Sequence, residues 1–364
     1  MDADVVVAGA GPVGLAVAVL AATSGFAVLV ADPRLGPAGG EPIDKACGEG
    51  LLPVGLRRLR ALGVDPPGRP IAGIRYLGAE GGPAADAHFR AGPGRGVRRT
   101  VLHQALAARA ADVGVGMLGA AVTGFAQDRA GVQVRLRDDG RESLARARWL
   151  VGADGLHSSV RRAAGLAQGS AGGGERPAGG SPQLHRYGLR RHAVTAPWTD
   201  LVEVHWARHG EAYVTPVADD LVGVALLSRG RPGSWAAGLA GFPRLAERLG
   251  AASGPVRGAG PLRQTTRRRV AGRALLVGDA AGYVDALTGE GISVGVAQAQ
   301  ALVAALRQGD PERYERAWWA VTRRYRALTG ALVAASGQPW VRPLIVPAAR
   351  RLRPAYAGLV NLLE

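Results

Sequence analysis

The chain has 364 residues, 47% hydrophobic and 20% charged, enough for a core of about two domains or one large α/β domain with an added lobe. Its single cysteine, Cys47, excludes an internal disulfide framework and a thiolate metal cluster, and no run reaches the ~18 uncharged apolar residues that span a bilayer. A formal net charge of +16 favours acidic partners such as phosphate-bearing cofactors, anionic membrane surfaces or nucleic acid, but the arginines are dispersed like a solvated surface and no nucleic acid is expected.

An apolar strand begins at residue 4, which leaves no space ahead of it for a signal peptide, so a soluble cytoplasmic protein is the expectation. The stretch DVVVAGAGPVGLAVAVLAATSGFAVLVADPR reads as strand, glycine turn, helix and strand; its unbroken apolar runs suit parallel strands buried on both faces. Gly9, Gly11 and Gly14 form G-x-G-x-x-G at the mouth of that helix. The first permits a tight turn, the second admits a pyrophosphate to the backbone, and the third lets helix and strand pack closely. Free N–H groups and the positive helix end then face the phosphate. Asp32 closes the next strand, where a carboxylate accepts from both ribose hydroxyls and disfavours a 2′-phosphate; Arg34 follows as a further cofactor candidate.

The segment EPIDKACGEGLLP holds the only lysine, Lys45, two residues before the only cysteine. A helix follows in LLPVGLRRLRALG, closed by Gly63, and a second begins near Arg99 in RRTVLHQALAARAADVG. VQVRLRDDGRESLARARWLVGADG is a hairpin with Asp139-Gly140 at its turn, running into a buried strand and then Asp154-Gly155. Residues 165–183 have the composition of a flexible loop. An antiparallel meander comes next in VEVHW, AYVTPV and LVGVALL, with Glu203 and His205 on one face of the first strand and Trp206 on the other. RALLVGDAAG returns to the parallel style, a helix spans about 290–307, and two amphipathic helices rich in Trp and Arg finish the chain. The tail could rest on an anionic membrane or pack across the first domain.

Three of these strings, GAGPVG, then GADG at 152–155, then VGDA at 277–280, resemble in order and spacing the signatures of the flavoprotein hydroxylase superfamily of class A monooxygenases, over roughly residues 3–330. The resemblance implies an α/β fold with a Rossmann-like, GR2-type FAD-binding domain made of 1–68, 99–165 and 267–330. A β-sheet substrate domain, 69–98 and 166–266, interrupts it, and 331–364 form a C-terminal helical tail. FAD is the implied cofactor. Gly278 and Asp279 would meet its ribityl and phosphate groups, the turn Gly289, Glu290 and Gly291 its pyrimidine edge, and Arg99 would reach it from another helix. Asp154 is linked to both cofactors in the superfamily, although locally it reads equally as a helix N-cap. A second G-x-G-x-x-G is missing, which suits NADH or NADPH as a transient electron donor.

DKACGEGLLP followed by TGEGI most resembles the geranylgeranyl-reductase-like branch of the superfamily, which implies that Lys45 and Cys47 face the reaction cavity. Tyr213 and His205 are the catalytic candidates on the β-rich lobe. Two departures stand out: Ala286 replaces the proline that usually precedes the glycine turn, and AYVTPV lacks the aromatics of a long prenyl channel. The expected activity is NAD(P)H-dependent hydroxylation of an aromatic or polyketide-like metabolite through a flavin hydroperoxide. Alternatives are reduction of isoprenoid or polyketide double bonds and, remotely, non-enzymatic nucleic-acid binding.

Overall fold

The computed structural model describes residues 2–36, 41–168 and 185–363, so most of the expected loop at 165–183 lies outside the described residues. The chain opens with β1 (Ala3–Ala8), α1 (Pro12–Thr23) and β2 (Val28–Ala31), the parallel unit expected from the sequence. Val5, Val6 and Val7 of β1 are fully buried, because a parallel sheet covered on both faces has no water side.

Next come β3 (Gly50–Leu51), α2 (Pro53–Ala61), β4 (Arg69–Ile71), β5 (Gly73–Gly78), β6 (Gly81–His88), β7 (Gly94–Gly96), α3 (Arg99–Asp112) and β8 (Gly116–Leu118). β9 (Ala121–Gln127), β10 (Val132–Asp138), β11 (Arg141–Gly152) and α4 (Ser159–Ala163) follow. Asp139 and Gly140 both have positive φ, 41° and 80°, the backbone a two-residue primed hairpin turn needs between β10 and β11.

The second lobe is built from β12 (Arg186–Val194), β13 (Leu201–Trp206), β14 (Gly210–Ala218), β15 (Leu221–Arg229), α5 (Trp235–Leu239), α6 (Pro243–Arg248) and β16 (Ala251–Ala259). β17 (Val270–Ala271), β18 (Ala274–Leu276), a 3-10 turn at 278–281 and α7 (Gly291–Arg307) return the chain to the first sheet. α8 (Glu312–Gly337), α9 (Ile345–Arg351) and α10 (Arg353–Asn361) complete it.

An eight-stranded sheet runs β17-β18-β11-β1-β2-β8, with β10 and β9 continuing from β11; a seven-stranded sheet runs β16-β12-β15-β14-β13-β5-β6. The α/β class, the Rossmann-type beginning and the antiparallel meander follow the sequence expectation. The arrival of β5 beside β13 in parallel does not: it joins residues some 130 positions apart, and no local pattern announces it.

The end of the chain differs from the expected pair of helices. α8 is a single rod of 26 residues, about 39 Å long, running unbroken past residue 331, where a separate tail was expected to begin. It buries Tyr314, Trp318, Thr322, Tyr325 and Thr329, one stripe at spacings of three and four. The short helices α9 and α10 fold back over β5 and β6, where the Tyr356 hydroxyl donates to the Ile74 carbonyl at 3.2 Å. Among the described residues no helix is long and apolar enough to cross a membrane.

Candidate active site

The glycine turn between β1 and α1 is dictated by crowding. Gly9 has φ 106°, and a Cβ there would come within 2.6 Å of the Ala153 carbonyl oxygen; a Cβ on Gly14 would collide with the Gly9 carbonyl. No side chain caps α1 at Gly11, so its first N–H groups are available to an anion. This cradle fits a pyrophosphate.

Asp32 is buried, and its Oδ2 accepts the Ala10 N–H at 2.9 Å. Arg34 pairs with it through two bonds, Nε to Oδ1 at 2.8 Å and Nη2 to Oδ2 at 2.6 Å. Burial alone would raise this carboxyl; Arg34 and the backbone N–H groups of Ala10 and Arg34 override it and hold it below the usual range. Arg34, expected as a cofactor residue, is the ion-pair partner of Asp32.

Gly11 and Arg99, Gly278 and Asp279, and Gly289 and Gly291 line one cavity of about 280 Å³, and Lys45, Cys47 and Tyr213 line it too. Asp279 faces Lys45, Arg99 and Arg161, yet burial dominates and raises its carboxyl above the ordinary value. Lys45 is reached from the cavity but surrounded by protein; burial, then repulsion from Arg34 and Arg99, lowers its ammonium. Burial raises the Cys47 thiol against the pull of Arg99, which favours the thiol over the thiolate at neutral pH. The buried Arg99 Nε has no partner among the described residues, as a group awaiting a ligand acceptor would. Cradle, cations and the half-buried acid together suit FAD; Gly11 and Arg99 would hold its phosphates and Asp279 its polyol.

Sequence reasoning missed the residues that pin this segment. Glu49, between Cys47 and the start of β3, is buried with φ 60°, unusual for a residue other than glycine. Its Oε1 accepts the Arg99 backbone N–H at 2.9 Å, and its Oε2 lies 2.7 Å from His192 Nε2. Arg190 Nη1 is 3.3 Å from His192 Nδ1; an arginine only donates, so Nδ1 accepts and Nε2 carries the proton toward Glu49. Arg190 also pairs with Asp44 and donates to the Lys45 carbonyl at 3.2 Å. The signal was present as Arg190 and His192 alternating on one face of β12, without any indication of what they met.

Three expected site residues are placed elsewhere. Asp154 turns its Oδ2 to the N–H groups of Ser159 and Val160 at 2.7 and 3.2 Å and to the Ser159 hydroxyl at 2.9 Å, supporting the first turn of α4 beside the N-cap Ser158, while its buried Oδ1 has no partner among the described residues and its neighbours Ala153 and Gly155 line the cavity. Arg161 of the same motif is the tie between the two Asp-Gly strings, donating to the carbonyls of Leu156 at 2.6 Å and Ala280 at 3.1 Å. Glu290 is the N-cap residue of α7, and its carboxyl lies off the cavity wall, pushed up to about 7 by burial.

His205 is the third. On β13 the cavity receives Val202 and Val204, so strand alternation turns His205 to the opposite face, 3.1 Å from Glu203. It is not a cavity residue. Tyr213 does reach the cavity, but its hydroxyl is committed to the Leu287 carbonyl at 2.8 Å. That bond helps hold the turn that lacks the proline: Arg186 Nε pairs with Asp285 at 2.9 Å, Tyr325 donates to the Asp285 carbonyl at 3.0 Å, and Thr288 meets Thr329 at 3.0 Å.

The pattern of the FAD binding domain family matches residues 2–176. Over 362 aligned residues the chain is 30% identical to a menaquinone reductase of Mycolicibacterium smegmatis, covering 87% of this chain and 79% of that protein. It is 34% identical over 177 residues to a 3-(3-hydroxy-phenyl)propionate/3-hydroxycinnamic acid hydroxylase of Comamonas testosteroni, a match covering 44% of this chain and 28% of the relative. Two solved structures share the fold: the flavin-dependent brominase Bmp2 (TM-score 0.74, 16% identity, 99% of this chain and 93% of that one) and the anhydrotetracycline hydroxylase OxyS of Streptomyces rimosus (TM-score 0.68, 21% identity, 100% and 76%). The glycine cradle, the cavity-lining Asp279 and the relative that spans most of the chain lead to one assignment: the protein is an FAD-dependent oxidoreductase belonging to the flavoprotein hydroxylase superfamily.

Proposed function

We propose that the chain is a monooxygenase that adds one oxygen atom to an aromatic or polyketide-like substrate, with NADH or NADPH as transient electron donor. The observation that carries this reading is the shared cavity: cofactor-motif residues stand at one end, and a hydrocarbon wall from β5, β12, β13 and β15, including Ile74, Leu189, Val204 and Leu227, stands at the other. FAD, when bound, supplies electron storage and oxygen activation. The residues of the chain bind, orient and exclude water. Lys45 and Arg99 give the cofactor end positive charge, which suits a pyrophosphate or a phenolate. The apolar wall keeps water from the reacting centre, and Tyr76 and Tyr213 add aromatic lining to it. The test is oxygen uptake with NADH or NADPH and a panel of phenols, read with product mass: one added oxygen supports the reading, and substrate-independent uptake with unchanged phenol sinks it.

Cys47 favours a second reading, alkene reduction. A thiol held protonated in the cavity is placed to deliver the proton that completes addition of hydride to a double bond. A relative named as a menaquinone reductase supports reduction as the reaction type. Anaerobic turnover giving a product heavier by two hydrogens, slowed by Cys47→Ser, would rank this reading first.

A further inference from the structure

From Arg316 to Leu363 the chain carries eight arginines and no Asp or Glu, so half of its formal net charge of +16 lies in this stretch. Within it Leu344, Pro347, Ala348, Arg351 and Leu352 recur along α9 and its flanks at helical spacing, and all are exposed, while Ile345, Val346 and Ala349 pack inward. Trp340 is 70% exposed and Leu352 58%. Arg350 and Arg353 are exposed beside that stripe. The neighbouring helix faces the other way: Leu359 and Val360 of α10, with Leu363 just beyond it, line the far end of the cavity. One helical pair therefore presents an apolar, arginine-bordered surface outward and an apolar wall inward.

We infer that α9 and α10 dock on an anionic lipid bilayer, and that the substrate is an amphiphile dissolved in that layer which enters the cavity beside these helices. The second half rests on the oxygenation reading; the docking does not. Helices of this length lie in the interface plane, with Trp340, Leu344 and Leu352 among the acyl chains and the arginines at the headgroups. A second copy of the chain is the poorer occupant, because a twofold contact sets Arg350, Arg351 and Arg353 against their own copies. Nucleic acid would satisfy the arginines and leave the apolar stripe in water.

The test mixes full-length protein with vesicles of phosphatidylcholine alone, or of phosphatidylcholine with phosphatidylglycerol, and sediments them. Wild type should bind the anionic vesicles, less at high salt. The triple variant Arg350→Gln, Arg351→Gln, Arg353→Gln should lower the partition coefficient by about a hundredfold. The variant Leu344→Glu, Leu352→Glu should lose binding while keeping its circular dichroism and its FAD. Wild type left in the supernatant with anionic vesicles overturns the docking, as does a wild-type dimer that Leu344→Glu, Leu352→Glu makes monomeric. For the substrate half, that variant should lose turnover of an alkylphenol carried in anionic vesicles and retain turnover of a short soluble phenol. Equal rates of both enzymes on the vesicle-borne phenol overturn lipid delivery. Vesicle binding with no oxygenation of any phenol overturns the oxygenation reading and leaves the docking standing.

Discussion

Glu49 accepts the backbone N–H of Arg99 at 2.9 Å with one carboxylate oxygen and faces His192 Nε2 at 2.7 Å with the other. The residue joins three regions distant in sequence: the Cys47–Gly50 turn, the start of α3 and strand β12. A left-handed backbone at a non-glycine residue costs on the order of 1–3 kcal/mol and persists only where its surroundings hold it. Here two buried hydrogen bonds do so, and they set where Cys47 and Arg99 stand relative to each other across the cavity.

Glu49→Gln should lower the free energy of unfolding by about 1–3 kcal/mol, because an amide presents an N–H₂ group to one of two buried donors and leaves that donor unsatisfied. Urea denaturation measures this. An unchanged midpoint would mean that neither bond carries weight.

That Gly11, Asp279 and the turn glycines Gly289 and Gly291 would meet at one cavity was legible in the sequence because each lies in a local string whose pattern is complete within a few residues. Glu49 was not, since its meaning depends on His192, more than 140 residues away, arriving from β12. The alternation of VEVHW correctly put Glu203 and His205 together, but period two does not say which face is inward; that was decided by β5 and β14 on either side of β13. For Asp154, both readings were open in the sequence, and its two oxygens divide between them: Oδ2 holds the first turn of α4 beside the N-cap Ser158, while the buried Oδ1 has no partner among the described residues.

Asp279 lines the cavity near Lys45 and Arg99, and we propose that it holds the cofactor's polyol. Hydrogen bonds to a charged group contribute about 1.5–3 kcal/mol. Asp279→Ala should therefore weaken FAD binding by about tenfold to a hundredfold, seen as a colourless protein after dialysis. Full flavin occupancy in that variant would falsify the placement.

Tyr213→Phe keeps the ring in the cavity and removes the bond to the Leu287 carbonyl. Loss of about 1 kcal/mol is expected, with FAD occupancy retained and turnover reduced, because the turn before α7 loses one of the contacts that replace a proline. Thermal unfolding and steady-state rates separate the two effects. Wild-type turnover in the variant would show that Tyr325, Arg186 and Thr329 hold the turn without it.

Glu290 gives the chain a pH signature independent of turnover. Burial raises its carboxyl to about 7, outweighing the Thr288 hydrogen bond and the attraction of Arg324 and Arg58. An acid whose folded value lies above its unfolded one binds more protons in the folded state between the two, so stability declines as pH rises through that window, from about 4.3 in the unfolded chain to the folded value. Below the window the protonated carboxyl carries no penalty; above it the full cost of a buried charge is present. Glu290→Gln removes the titration while keeping the shape. The variant should match wild type near about pH 4 and exceed it by about 1–3 kcal/mol near about pH 8, measured by urea denaturation across that range. A variant whose stability falls with pH as steeply as wild type would show that the Glu290 carboxyl ionises in the fold as freely as it does in water.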